Sequence, residues 1–221
     1  MWTIESILAI GAAYMWGSVS PSYIVTRWIK GIDLRQYGSA NVGASNAGEQ
    51  LGRAWMIGTG SLDFLKGMLP TALSQIAGFD LLTVVLVGLA TEIGHDWSMF
   101  LGWRGGRGVS VMVSLLFVWD LRVAFALLVL IGAGAIFKQS ALFSAIALLL
   151  IAPIVSWLGN PIEIILACLG ITLIAFIKRL EANHLPLPQN AQEKRTVLWR
   201  RFWLDRDVSQ KQNWEKRKQI D

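Results

Sequence analysis

The apolar residues of this chain come in long runs, broken only by short polar stretches. That pattern fixes the solvent before it fixes the fold. Runs near 20 residues match the hydrocarbon thickness of a bilayer. Only 16% of the residues are charged, and mean hydropathy is +0.49. A soluble domain carries about a quarter charged residues. The predicted fold is therefore an all-α membrane protein, a bundle of seven transmembrane helices with glycine-rich cytoplasmic loops. The 221 residues suffice for one such bundle and leave no room for a large soluble domain.

The spans are predicted at about 4–29, 55–77, 81–94, 108–119, 123–137, 140–158 and 162–178. Residues 1–178 form the transmembrane domain and 179–221 a basic cytoplasmic tail. The first run has no Lys or Arg before Arg27, so it reads as an uncleaved helix with its amino end outside. Pro21 is expected to kink it. Seven crossings put the two termini on opposite sides. With the amino terminus outside, the inner loops hold Lys30, Arg35, Arg53, Arg104, Arg107 and Lys138, and the outer turns hold only Arg122. The positive-inside rule favours that orientation. Of 20 Lys and Arg, 11 lie at or after Lys178. Within the tail, Trp199, Phe202 and Trp203 share one helical face among Arg200, Arg201 and Arg206. This pattern fits an amphipathic helix lying on an anionic leaflet, and equally a segment packed against the bundle or frayed.

Two inner loops carry the candidate chemistry. Gly38-Ser39-Ala40-Asn41-Val42-Gly43-Ala44-Ser45-Asn46 offers hydroxyls, carboxamides and free backbone N–H groups, and no acid. Trp103-Arg104-Gly105-Gly106-Arg107-Gly108 follows at the edge of another apolar run. Successive N–H groups in glycine-rich turns form anion-binding concavities, and arginine grips two oxygens at once. The pair suggests a site for phosphate groups attached to lipid. His95 lies between a helix end and the second loop. Asp63 and Lys66 fall on one helix face, at a depth where ionisable groups face a bundle interior or a cavity. The lone Cys168 excludes an intrachain disulfide and reads as a packed small residue. Neither a G-x-S-x-G nucleophile elbow nor a metal-ligand spacing is present.

In order along the chain, Gly17-Ser18, Asp33-Leu34-Arg35, the first glycine loop, Asp63-Phe64-Leu65-Lys66-Gly67, Gly94-His95 and Arg104-Gly105-Gly106-Arg107-Gly108-Val109 resemble the bacterial acyl-phosphate-dependent glycerol-3-phosphate acyltransferases. The resemblance implies a seven-helix enzyme of the bacterial cell membrane, with its carboxyl terminus in the cytoplasm. It would move a fatty acyl group from acyl phosphate to the sn-1 hydroxyl of glycerol 3-phosphate, giving lysophosphatidic acid and phosphate. It implies His95, Ser39 and Arg107 as catalytic residues. Asn41, Gly43, Ser45, Asn46, Arg53, Lys66, Arg104, Gly105, Gly106 and Asn183 would bind substrate. No metal and no cofactor are implied. The expected partners are the two substrates and membrane lipids, with no nucleic acid, and the protein is expected to be a monomer. The base is either His95 or a phosphate oxygen of the substrate.

The chain departs from the family pattern in named places. Ala40 stands for a glycine, Ser45 for a threonine and Arg107 for a lysine. Glu49 stands where the family carries an arginine, with Arg53 one helical turn on as a partner or substitute. Near the end of the seventh span Arg179, Leu180 and Asn183 match an R-H-x-x-N pattern only in part. The alternative functions are a homologue using acyl phosphate with another acceptor or with little activity, and a non-enzymatic membrane lipid-binding or transport protein.

Overall fold

The computed structural model describes residues 3–209, and every regular element in that range is helical. The last twelve positions of the expected tail lie outside the described residues. In order, the helices are α1 (Ile4–Gly17), α2 (Pro21–Lys30), α3 (Ala44–Leu51), α4 (Arg53–Ile76), α5 (Leu81–Asp96), α6 (Val109–Trp119), α7 (Leu121–Ile136), α8 (Ser140–Trp157), α9 (Ile162–Glu181) and α10 (Ala191–Leu204).

The first apolar run is two helices and not one kinked helix. Ser20 is extended, and its Oγ accepts the Tyr23 N–H at 3.2 Å, capping α2 with Pro21 in its first turn. Proline lacks the N–H that a continuing helix would use and pushes its predecessor out of the helical region. At the start of a helix it costs nothing. The Ser-Pro pair therefore starts α2 where a bend in α1 was expected.

The first glycine loop also differs from an open polar loop, because α3 lies inside it. Leu34, Val42, Ala47 and Leu101 form a small core beneath this loop, with Tyr23 against it. Burial of that face holds α3 despite its serine, asparagine and glycine. The positive φ of 103° at Gly52 then separates α3 from α4.

The main core lies among α6, α7, α8 and α9, built from residues such as Leu115, Leu116, Ile151, Val155 and Ile171. Cys168 is buried in it. Helices α1 and α5 pack side by side. A Cβ at Gly17 would sit 2.2 Å from the Thr91 carbonyl oxygen, and one at Gly94 equally close to that of Tyr14. Glycine at both positions lets the two backbones touch.

Large apolar side chains cover the outside, among them Val129, Leu166, Leu173 and Ile57. Leu81–Leu101 and Ser140–Trp157 are each long and apolar enough to cross a membrane. Helix α4 is longer but holds Asp63 and Lys66. Helix α6 is only 11 residues, about 16 Å at 1.5 Å per residue.

The tail does not present its aromatic face outward. Helix α10 packs on α8 and α9. Phe202 stacks on Phe176 with centroids 4.2 Å apart, and Trp203 packs on the main core. Only Trp199 stays exposed of the three. Helix α10 therefore seats Phe202 and Trp203 against the bundle.

Candidate functional site

Three helix ends and two loops meet at one cavity of ≈ 80 Å³. Its wall is Asn41, Gly43, Ala44, Ser45, Asp63, His95, Arg107, Gly108, Val109 and Ser110. Helix α3 begins at Ala44 behind Gly43, and α6 begins at Val109 behind Gly108. Neither start has a side-chain cap, so the first-turn N–H groups of both lack intrahelical acceptors. Each helix start carries about half a positive charge. Two of them on one cavity make an anion site from backbone alone.

His95 comes from the last turn of α5. Lys66 Nζ lies 2.9 Å from its Nδ1 and donates to the Val19 carbonyl at 2.8 Å. Asp63 Oδ1 lies 3.2 Å from the same Nζ, an ion contact off hydrogen-bond angle. All three side chains are buried. His95 Nδ1 also lies 3.5 Å from Asp63 Oδ1. Of the two Nδ1 contacts only that with Lys66 has hydrogen-bond geometry, and an ammonium there can only donate. Nδ1 of His95 is therefore the acceptor, and the ring proton sits on Nε2. This tautomer is assigned from the hydrogen-bond network.

The second glycine loop is shaped to that ring. Gly106 N–H donates to the His95 carbonyl at 3.0 Å. A Cβ at Gly106 would lie 1.9 Å from His95 Nε2. At Gly108, φ is +67° and a Cβ would lie 1.7 Å from Glu92 Oε1. Only glycine fits either position.

The two loops are also tied to each other. Val42 N–H donates to the Gly105 carbonyl at 3.0 Å. Asn183 Nδ2 donates to the Ala40 and Gly105 carbonyls, and its Oδ1 accepts the Gly105 N–H. Arg35 donates to the Leu101 carbonyl at 3.1 Å. The hydrogen bonds of Arg35 hold the Asp33 carboxyl below the usual carboxylate range.

Of the expected site residues, His95, Arg107, Asn41, Gly43 and Ser45 stand on the cavity wall. Asn41 Oδ1 is buried without a hydrogen-bond partner. The others are placed differently. Ser39 braces the turn, its Oγ accepting the Asn41 N–H at 3.3 Å. Asn46 Nδ2 lies within hydrogen-bond distance of the Leu34, Tyr37 and Asn41 carbonyls. That amide and the amide of Asn183 hold loop backbone where substrate contact was expected. Gly105 is a backbone junction for the same reason. Lys66 stands behind His95. Arg53 and Arg104 are exposed and off the wall. Among the described residues Glu49 and Arg53 form no ion pair, because Gly52 breaks the helical turn that would have paired them. Ala40 has φ 56°, so it does carry the strain of about 1–2 kcal/mol expected of alanine there.

The sequence reading omitted Ala44, Asp63, Gly108, Val109 and Ser110 from the site. Asp63 was visible through its spacing from Lys66. The start of α6 was visible only as the end of the second glycine loop.

Comparison with known proteins gives one answer. The family model described as glycerol-3-phosphate acyltransferase matches residues 7–185. Glycerol-3-phosphate acyltransferase 5 of Dehalococcoides mccartyi is 32% identical over 94% of this chain and 91% of its own length. The glycerol-3-phosphate acyltransferase of Halalkalibacterium halodurans is 33% identical over 76% of this chain and 85% of its own. The solved structure of PlsY (YgiH), an integral membrane glycerol 3-phosphate acyltransferase in its glycerol 3-phosphate form, superposes with a TM-score of 0.75 at 27% identity. That match covers 80% of this chain and 89% of the other. The length of the match and the identity of the relatives place this chain in the glycerol-3-phosphate acyltransferase family.

Proposed function

We propose that the protein transfers a fatty acyl group from acyl phosphate to the sn-1 hydroxyl of glycerol 3-phosphate, releasing lysophosphatidic acid and phosphate. The observation that carries this reading is the cavity on which two uncapped helix starts, Arg107 and His95 converge. Both substrates carry phosphate, and both must be held against mutual repulsion while a hydroxyl meets a carbonyl. Such a reaction is mostly positioning.

The hydroxyl oxygen attacks the acyl carbon, the bond to the phosphate oxygen breaks, and phosphate leaves with the electron pair. Acyl phosphate is already activated, so no acyl-enzyme is needed. His95 Nε2–H suits a donor to a phosphate or to the developing oxyanion. In that tautomer it is not the base, so the hydroxyl proton passes to a phosphate oxygen of the substrate. Arg107, the N–H groups of Ala44, Ser45, Val109 and Ser110, and the Asn41 amide hold the anions. The cavity is far smaller than the roughly 300–1,000 Å³ of pockets that enclose a whole ligand. It suits a head group, with the acyl chain running out along the lipid-facing bundle.

The same reading proposes seven crossings of the bacterial cell membrane, with the amino terminus outside and both glycine loops cytoplasmic. Helix α6 is too short to span about 30 Å alone. The buried backbone of Gly105, Gly106 and Gly108 lengthens it at the inner face, while Trp103 and Arg104 stay exposed to the cytoplasm. Residues 1–178 are the catalytic bundle, and the tail from 179 is cytoplasmic, with α10 seated on the bundle. The protein acts as a monomer among membrane lipids.

Purified protein given synthetic acyl phosphate should release phosphate only when glycerol 3-phosphate is added. Arg107→Ala should lower that turnover at least tenfold with folding retained. Release driven by a different alcohol would point to another acceptor, the reading that Glu49 favours. No release with any acceptor would refute the proposal.

A further inference from the structure

We propose that the segment after residue 185 completes the active site and that Asp205 is a positioning residue for Arg107. The proposal rests on the acyltransferase reading of that site. The family match ends at residue 185, yet the chain beyond it reaches the cavity wall. Asp205 Oδ1 lies 2.7 Å from Arg107 Nε, an ion contact off hydrogen-bond angle, with the two side chains 18% and 9% exposed. Arg107 Nη1 donates to the Lys178 carbonyl at 2.9 Å. One hydrogen bond at Nη1 and one ion contact at Nε restrain the guanidinium from two sides. Among the described residues Nη2 makes no hydrogen bond, which leaves that edge for a substrate phosphate.

The contact is not a chance touch of a loose tail. Arg201 is 1% exposed. It donates to the Leu180 carbonyl at 2.9 Å, to the Leu185 carbonyl at 3.0 Å and to Asp207 at 2.6 Å. Arg179, also buried, donates to the Phe202 carbonyl at 3.1 Å and to Ser144 Oγ at 2.6 Å. Together with the Phe176–Phe202 stack these bonds clamp the last turn of α10 onto the bundle. Asp205 follows its last turn with φ 50°. The clamp therefore fixes the place from which the carboxylate reaches Arg107. A long, free arginine would otherwise surrender side-chain entropy each time it bound a phosphate, and a preset one does not.

The left-handed backbone at Asp205 makes glycine a benign replacement, so Asp205→Gly removes the carboxylate without straining the fold. The full chain in detergent is assayed for phosphate release from acyl phosphate, with both substrates varied in turn. Arg107→Lys identifies which substrate's KM depends on Arg107. Asp205→Gly should raise that same KM about fivefold, keep kcat within about twofold, and leave the thermal midpoint unchanged. Asp205→Glu should restore the KM in part. In an Arg107→Ala background, Asp205→Gly should change nothing further.

An unchanged or lowered KM in Asp205→Gly would overturn the proposal, the lowered value showing a carboxylate that competes with substrate. So would a further loss in the Arg107→Ala background. If the wild type releases no phosphate under any condition, the acyltransferase reading itself fails. Calorimetric binding of inorganic phosphate then decides Asp205, with weaker binding in Asp205→Gly supporting its role and equal binding refuting it.

Discussion

Replacing Gly106 by alanine should disable the site while the bundle stays folded. The new Cβ would lie 1.9 Å from His95 Nε2 and 2.7 Å from its Cε1. The first distance is about 1.5 Å short of ordinary contact. The ring cannot simply swing away, because Lys66 holds its Nδ1 at 2.9 Å and the Gly106 N–H is bound to the His95 carbonyl. Either the ring or the loop must move by about an ångström. Overpacking of this kind costs roughly 1–3 kcal/mol of stability, which a fold stable by about 5–15 kcal/mol survives. Catalysis is less tolerant. A displacement near 1 Å costs about a hundredfold in rate, or about 2.7 kcal/mol in the barrier. The assay is glycerol 3-phosphate-dependent phosphate release, read beside the thermal midpoint. Gly58→Ala in α4 is the control, since a Cβ there meets nothing within 4 Å. Wild-type turnover in Gly106→Ala would show that His95 is not held against the loop and that the geometry argued for it is wrong.

Other expectations test the surroundings. Ala40→Gly should raise stability by about 1 kcal/mol in denaturant titration by relieving the positive φ, and an unchanged midpoint would show no strain there. Glu49→Arg should lower the KM for glycerol 3-phosphate about twofold through the field of an exposed charge, and a raised KM would show that the carboxylate belongs to this enzyme's own geometry. Asp33 is lowered by Arg35, so its contribution to stability is present above its unfolded value near 3.9 and is lost as pH falls through the lower folded value. Asp33→Asn should flatten that acid limb of the stability–pH curve, and an unaltered limb would remove the ion pair from the account.

The cavity's main residues were legible because their chemistry is unusual for their place. A histidine and an arginine beside glycines at the edge of an apolar run have few structural uses. The buried Asp63–Lys66 pair showed itself by spacing alone. What stayed hidden has a common physical origin, since the sequence does not say which way a polar group faces. Asn46 and Asn183 are amides, and an amide serves a ligand or a carbonyl equally well. Both proved to hold backbone. Helix α3 was concealed because Ser45, Asn46 and Gly48 are poor helix formers. It forms through the burial of Ala47 beside Leu34 and Val42. The tail was legible as a helix with an aromatic face, but its partner was not, because leaflet and bundle offer similar apolar surfaces. The reach of Asp205 to Arg107 depends on a single left-handed residue after α10, which no periodicity reveals.

The central claim is that two loops far apart in the chain form one anion pocket. It is tested most directly by locating the phosphorus of bound glycerol 3-phosphate in an experimental structure of the full chain. The account expects it between the start of α3 at Ala44 and the start of α6 at Val109, within hydrogen-bond reach of Arg107 through its oxygens. Phosphorus found elsewhere on the protein, with this cavity holding none, would contradict it.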